Sequence, residues 1–173
     1  MVIVLTGAPG SGKSTVAELL AARLDRAAHV PVDFFRKMIK GGYASPHHWS
    51  DEVDRQYRIA RASAAQTARN LVAGGFIPIL DDVVPAAWVD EWRTALTGLD
   101  CRFVALRPRL DVALRRNRER SIWTVDESLL AELHAMLEGP HTEGWLVVDN
   151  SEGSADETAA AVARGLGLIT PSG

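Results

Sequence analysis

The feature that most constrains this chain is a glycine-rich segment close to its start. The segment fits the pattern G-x-x-x-x-G-K-[ST] at every fixed position, and with the next residue it comprises Gly7, Ala8, Pro9, Gly10, Ser11, Gly12, Lys13, Ser14 and Thr15. Its glycines let the backbone turn and bring N–H groups against phosphate oxygens. An apolar run precedes the segment and helical spacing follows it, as this motif requires. The pattern therefore predicts a phosphate-binding loop over residues 7–15.

Two side chains of this loop have the chemistry to bind a nucleoside triphosphate. Lys13 adds a positive charge at the β- and γ-phosphates, and the Ser14 hydroxyl can ligate Mg²⁺. The helix that follows presents its positive N-terminal end to the same anion. The loop thus predicts ATP and Mg²⁺ as cofactors. The alternative is a glycine-rich turn that fits the pattern by chance.

Composition limits the class of protein further. The chain has 173 residues, of which 47% are hydrophobic, and this suits one domain over residues 1–173. A net charge of −3 counts against a nucleic-acid partner, because proteins that bind phosphate backbones usually carry a basic excess. The sequence shows no signal peptide or membrane-spanning stretch. With Cys101 as the single cysteine, we expect a cytoplasmic protein that acts on a small molecule.

Apolar periodicity predicts strands that alternate with helices. The predicted strands cover residues 2–5, 30–32, 76–80, 103–106 and 145–148, and the predicted helices cover 13–24, 50–73, 85–96, 110–120, 124–137 and 155–164. Thr124 with Glu127 and Ser154 with Glu157 have the spacing of capping boxes. The alternation predicts one parallel sheet covered on both faces. Pro78 cannot donate to a strand ladder, which counts against a central position for the third strand, and Pro31 suggests the edge or the start of the second.

Acidic residues follow the second and third predicted strands. In open α/β sheets, ligands bind beyond the carboxyl ends of the strands. Asp33 is therefore placed to orient an acceptor hydroxyl and accept its proton, although it could instead cap the next helix. Asp81 and Asp82 end the third strand, where an NTPase site holds Mg²⁺. Consecutive strand residues point to opposite faces, and we favour Asp81 as the magnesium-side carboxylate and Asp82 as structural.

Taken in order, four segments resemble the small P-loop kinases of metabolites, with the nearest likeness to chloramphenicol phosphotransferase and the wider adenylate-kinase-like group. They are VIVLTGAPGSGKST, VDFFR, FIPILDDV and the Arg-rich run at 110–120. The resemblance implies a three-layer α/β P-loop NTPase fold with a five-stranded parallel sheet in the order 2-3-1-4-5. It also implies an acceptor-side region at about 33–73 and an Arg-rich lid at about 110–128.

The resemblance assigns roles to individual residues. Asp33 becomes the candidate base, Asp81 the magnesium-side carboxylate that also borders the substrate, and Arg116 and Arg120 the lid residues. The D-x-x-R of Asp33 and Arg36 also resembles nucleotide and polynucleotide kinases, in which the arginine holds an acceptor phosphate. Arg36 is therefore a candidate substrate-binding residue, but the D-x-x-R spacing does not identify the acceptor.

The predicted function is ATP-dependent transfer of the γ-phosphate to a hydroxyl or phosphate of a small molecule. One alternative is a kinase of nucleotides or polynucleotide ends, and another is a nucleotide-binding switch or resistance protein without phosphotransfer. Trp49 and Trp123 are the tryptophans placed to meet an acceptor or the lid. His47 and His48 lack a ligand partner at metal-site spacing. Asn150 and Ser151 follow the fifth strand, where the resemblance implies a loop that holds adenine.

Overall fold

The computed structural model describes residues 1–46, 48–120 and 124–169, and its core is one parallel sheet. The five strands are hydrogen-bonded in the order β2-β3-β1-β4-β5, which confirms the predicted order. Their bounds are β1 Val2–Thr6, β2 Ala27–Pro31, β3 Ile77–Asp82, β4 Cys101–Leu106 and β5 Leu146–Val148. The carboxyl ends of β1 and β3 lie side by side, because Thr6 is in register with Asp82.

Helices cover both faces of this sheet, as the alternation predicted. The helices are α1 Lys13–Arg23, α2 Val32–Lys37, α3 Asp51–Ala73, α4 Ala86–Ala95, α5 Leu110–Arg118, α6 Glu127–Met136 and α7 Ala155–Gly165, with a 3₁₀ turn at Pro140–Thr142. The three layers agree with the predicted α/β architecture.

Strand β1 shows how the sequence divides the core into two halves. Val2 and Val4 pack with residues of α3 and α4, whereas Ile3 and Leu5 pack with residues of α1 and α7. All four side chains are fully buried, as expected for the central strand of a sheet covered on both sides. Asp81 and Asp82 are consecutive residues of the neighbouring strand β3, so their side chains face different helices.

Two local predictions were wrong. Strand β3 is internal, between β2 and β1, although Pro78 counted against a central position. Pro78 is the second residue of the strand and the register with β1 begins only at Ile79, so the missing N–H falls before that pairing starts. The start of α6 was also misassigned: its N-cap is Asp126, whose carboxylate accepts from Ser128 and Leu129 N–H groups, and not Thr124.

Other ends follow the predicted chemistry. Ser50 caps α3 by accepting from the Val53 N–H, and Ser154 with Glu157 forms the predicted capping box of α7. Residues 32–37, not predicted as a helix, form the short α2 directly after β2. Among the described helices, none has the length and apolar content to cross a membrane. Predictions for His47 and Trp123 fall outside the described residues.

Candidate active site

The phosphate-binding loop has the geometry that its glycines imply. Gly10 and Gly12 both have a φ of +83°, which L side chains rarely adopt. A Cβ on Gly10 would lie 2.2 Å from the carbonyl oxygen of Ala113 in α5. The loop thus packs directly against the helix that bears the predicted lid arginines. On its other side, the Asn150 amide donates to the Ser11 carbonyl oxygen at 2.8 Å.

A cavity of about 270 Å³ opens beside this loop. Residues from the loop, from α1 and from two more distant segments line it: Gly10, Gly12, Thr15, Val16, Arg116, Arg120, Asn150, Ala155 and Thr158. A lining of glycine backbone, two arginines and residues that follow β5 suits an anion joined to a larger group. The cavity therefore has room and charge for part of a nucleotide next to the loop.

Both candidate lid arginines border this cavity. The predicted helix over 110–120 is shorter than expected: α5 ends at Arg118 with Glu119 as its C-cap, so Arg120 lies beyond it and the two arginines do not share a helix face. Arg116 is half-buried, and its Nη2 donates to the Asn150 carbonyl oxygen at 2.9 Å. Arg120 is exposed. Their closure over a transferring phosphate stays a prediction.

Asp81 and Asp82 have opposite surroundings because they alternate along β3. Asp81 lies on the α1 side, where its Oδ2 is 3.4 Å from His29 Nε2. Burial would raise the pKa of Asp81, but the hydrogen bond with His29, the charge of Lys13 and the nearby Ser14 hydroxyl lower it below its usual value. Asp81 is thus held as a carboxylate beside two residues of the phosphate-binding loop.

Asp82 lies on the α3 and α4 side. Its two oxygens accept from the Val83 N–H at 2.9 Å and from Trp92 Nε1 at 3.0 Å. Burial raises the pKa of Asp82 to about 7, although Arg61 and the Trp92 hydrogen bond act in the opposite direction. This carboxyl fixes the end of β3 to α4, in line with the structural role favoured for it.

The residues near Asp81 fit a magnesium ion bound together with a nucleotide. Asp81 Oδ1 is buried and has no hydrogen-bond partner, next to the exposed Ser14. Within the described ranges, no three His, Cys, Asp or Glu side chains cluster as a metal site. In the P-loop arrangement a Ser/Thr hydroxyl, one Asp and phosphate oxygens hold the ion. Magnesium at Ser14 and Asp81 stays a prediction.

Asp33 lies in the first turn of α2, directly beyond the carboxyl end of β2. The residue in the N-cap position is Pro31, and no side chain caps this helix, so Asp33 does not have the capping role considered as its alternative. Its carboxylate is exposed. It lies close enough to Tyr57 and Asp82 for its charge to help raise the pKa of both. The geometry leaves Asp33 available to an incoming hydroxyl.

Arg36 is buried and holds the segment before α3. Its Nη1 donates to the Ala44 carbonyl oxygen at 2.9 Å, and its Nη2 donates to the Tyr43 hydroxyl. Gln56 supports the same segment: it accepts from the Ala44 N–H and donates to the Gly42 carbonyl oxygen. Two buried polar side chains therefore fasten the described part of the segment between α2 and α3, residues 38–46 and 48–50, which we name the acceptor loop after its predicted role. Contact of Arg36 with an acceptor stays a prediction.

Aromatic rings form a platform beside the acceptor loop. Trp49 stacks on Tyr57 and on Trp88, with ring centroids 5.7 and 5.8 Å apart. The Arg36 guanidinium lies 4.5 Å from the Tyr57 ring centroid, and the Arg61 guanidinium 4.0 Å from that of Trp88. Such cation–π contacts stabilise the positions of the Tyr57 and Trp88 rings. Trp49 itself is 59% exposed.

Sequence reasoning missed four residues of this region. They are His29 beside Asp81, and Gln56, Tyr57 and Arg61 on α3. Arg61 carries a detectable signal, because it follows Tyr57 by one helical turn on the apolar face, where a charged residue must find a partner. It does so by pairing bidentately with Glu91 of α4. Trp88 packs against the core, as interpreted from the sequence, and its ring also belongs to the platform. His29 lies in a short strand, and the sequence pattern of that strand does not indicate a neighbouring carboxylate.

Comparison with protein families decides what kind of enzyme this arrangement belongs to. A family model described as "Chloramphenicol phosphotransferase-like protein" matches residues 1–166. The chain belongs to this family. The match confirms the resemblance predicted from the sequence and supports a small-molecule phosphotransferase. No curated protein matches the chain.

Solved structures of low sequence identity share the fold of this chloramphenicol phosphotransferase-like protein. A Deinococcus radiodurans tunicamycin resistance protein matches with a TM-score of 0.72 and 18% identity, over 97% of this chain and 96% of the other. A sugar kinase from Janibacter sp. HTCC2649 gives 0.73 and 19%, over 97% and 95%. Shikimate kinase from Acinetobacter baumannii, in complex with shikimate, gives 0.69 and 19%, over 99% and 95%. These likenesses confirm the P-loop kinase fold.

Proposed function

We propose that this protein transfers the γ-phosphate of ATP, with Mg²⁺, to a hydroxyl group of a small molecule. The proposal rests on the way the candidate site residues are distributed around the carboxyl ends of the strands. The phosphate-binding loop, Asp81 and two arginines surround the nucleotide side, while exposed Asp33 stands next to an aromatic platform. Family membership supports the reaction class.

On the nucleotide side the chain supplies charge and position. The loop N–H groups and Lys13 bind phosphate oxygens, and Ser14 and Asp81 are the residues that would hold Mg²⁺, which neutralises developing charge on the phosphates when bound. Arg116 and Arg120 border the cavity and have planar guanidinium groups that match phosphate oxygens. Catalysis of this kind relies on positioning and electrostatics more than on covalent intermediates.

On the acceptor side Asp33 is the group that handles the proton. Its carboxylate accepts the hydroxyl proton as the acceptor oxygen bonds to the γ-phosphorus. The bond from that phosphorus to the β-phosphate bridging oxygen breaks, and ADP leaves. The acceptor oxygen must reach hydrogen-bond distance of Asp33, about 2.6–3.2 Å.

The surroundings of Arg36 favour a hydroxyl acceptor over a phosphate acceptor. In the nucleotide kinases that share D-x-x-R, the arginine holds the acceptor phosphate. Here both terminal nitrogens of Arg36 donate within the protein, and the guanidinium lies between the rings of Tyr43 and Tyr57. Using Arg36 for a phosphate would release the acceptor loop. A nucleotide or polynucleotide-end kinase therefore remains the second candidate, supported by the D-x-x-R spacing alone.

Exposed apolar side chains of α2, its C-cap and the acceptor loop also favour an acceptor with an apolar face. Phe34 and Met38 are one helical turn apart and 62% and 59% exposed, and Trp49 is equally open. Exposed large apolar side chains commonly mark a binding surface.

We place the protein in the cytoplasm, where a free Cys101 thiol is stable.

Screening acceptors for ATP consumption tests the proposal. The parent protein is incubated with Mg·ATP and three groups of compounds: apolar alcohols, nucleoside monophosphates and 5′-hydroxyl oligonucleotides. ADP release that depends on an alcohol is the expected result. Release with monophosphates or oligonucleotides establishes the second candidate, and release that no acceptor changes establishes a hydrolytic switch.

A further inference from the structure

We infer that His29 is a positioning residue that orients the Asp81 carboxylate toward the Mg·ATP site. The inference rests on the proposed function, because it assumes that Asp81 serves the magnesium ion. It concerns a residue of β2 that lies in none of the sequence motifs and contacts the site through Asp81.

The strand register brings these two side chains together. Pro31 of β2 pairs with Asp81, and His29 pairs with Ile79. Residues two apart on a strand share a face, so His29 is the diagonal neighbour of Asp81 on the α1 side of the sheet. The observed 3.4 Å between His29 Nε2 and Asp81 Oδ2 follows from this placement. Since a carboxylate only accepts hydrogen bonds, Nε2 must carry the proton in this contact.

The contact leaves the other oxygen of Asp81 for a ligand. Oδ2 is engaged by His29, whereas Oδ1 is buried and has no hydrogen-bond partner. An unpartnered buried carboxylate oxygen costs stability unless a ligand satisfies it. Lys13 and Ser14 are the residues of the phosphate-binding loop that act on Asp81. The free oxygen is therefore the one available to a cation at that loop.

His29 is placed to fix the rotation of this carboxylate. Its side chain is 19% exposed, and that of Asp81 is 4% exposed, so neither is free to move into solvent. Partners of this kind, which hold a ligand without touching the metal, typically contribute about 10–100-fold to metal affinity. Without the His29 donor, Asp81 can rotate, and Oδ1 no longer has one orientation.

The test measures binding of a non-hydrolysable ATP analogue by calorimetry, with saturating Mg²⁺ and with EDTA. His29→Leu removes the donor, His29→Gln keeps one, and His29→Leu combined with Asp81→Asn tests whether both act together. We expect His29→Leu to lose about 10-fold or more of the Mg²⁺-dependent gain in affinity, with little change in EDTA. His29→Gln recovers part of the gain, and the double variant is no worse than Asp81→Asn alone.

Three results would overturn the inference: an unchanged gain, an equal loss with and without Mg²⁺, or additive losses in the double variant. If His29→Leu does not fold, as judged by its melting curve, His29→Gln and His29→Asn are compared by the same measurement. A parent protein without any Mg²⁺-dependent gain would instead contradict the proposed function. A failure of the proposed function is therefore distinguishable from a failure of the role inferred for His29.

Discussion

The proposed nucleotide side and the proposed acceptor side of the site are built in different ways. The nucleotide side depends on backbone: positive-φ glycines bring the phosphate-binding loop against α5, and Asn150 fastens it to the segment after β5. The acceptor side depends on side chains, with buried Arg36 and Gln56 holding a loop and three stacked rings lining it. A backbone cradle suits a phosphate group, whereas side chains can vary without changing the fold. The difference explains how one fold serves many acceptors.

The largest effect is expected from Lys13→Ala on the nucleotide side. Removing the charge at the β- and γ-phosphates abolishes measurable turnover and weakens binding of Mg·ATP, while the half-buried side chain leaves the core intact. Calorimetry and melting curves measure both. The control is Arg164→Ala, which removes an exposed positive charge in the last turn of α7, outside the site. Parental affinity and turnover in Lys13→Ala would show that this loop is not the phosphate site.

Arg116→Ala and Arg120→Ala come next. An arginine that meets the transferring phosphate contributes about 10³–10⁵-fold to the rate, so each variant loses kcat far more than ATP affinity. Single-turnover transfer and nucleotide binding are measured side by side. The control is Arg115→Ala, because Arg115 is an exposed residue of α5, the helix that contains Arg116. Parental kcat in both variants would identify the pair as surface charge.

Asp33→Asn probes the acceptor side alone. Loss of the base lowers phosphoryl transfer by about 10²–10⁴-fold, and binding of Mg·ATP is unchanged because the carboxylate lies on the acceptor side. Asp25→Asn changes an exposed carboxylate outside the site. If Asp33→Asn transfers phosphate at the parental rate, Asp33 is not the base. If it loses ATP binding, Asp33 does not act on the acceptor side alone.

Asp82→Asn distinguishes the two neighbouring carboxylates through stability. Burial raises the pKa of Asp82 to about 7, so the folded protein holds a proton that the unfolded chain releases above its ordinary pKa of 3.8. The contribution of Asp82 to the free energy of unfolding therefore falls as pH rises from about 4 to 7, by up to roughly 4 kcal/mol.

An asparagine side chain in place of Asp82 has one oxygen, so it would leave one of the two donors, Val83 N–H or Trp92 Nε1, without an acceptor. We therefore expect Asp82→Asn to be less stable than the parent at pH 4–5, by roughly 1–3 kcal/mol, with a gap that closes or changes sign by pH 7 because the parent loses up to roughly 4 kcal/mol over that range. Denaturant unfolding across this range measures the gap. A constant gap would mean that Asp82 titrates normally, and loss of Mg·ATP binding would mean that Asp82 rather than Asp81 serves magnesium.

The same contrast decides what could be predicted from the sequence. The phosphate-binding loop was predictable because one motif encodes it locally, and the α/β alternation indicated a parallel sheet. The strand order came from the family resemblance. Pro78 misled because strand neighbours depend on register, not on one residue. The platform was missed because Trp49, Tyr57 and Trp88 come from a loop and two helices and meet only in the fold. Arg120 was placed on a helix that ends two residues earlier.

The most direct test of the central claim is ³¹P NMR of Mg·ATP with the parent protein and an alcohol selected by the acceptor screen. We predict that the γ-phosphate signal decreases, ADP forms, and a phosphomonoester signal of the acceptor grows in equal amount, with Asp33→Asn slowing all three together. Inorganic phosphate as the product, at a rate that the alcohol does not change, would contradict phosphotransfer. A pyrophosphate signal on a phosphorylated acceptor would contradict the hydroxyl assignment.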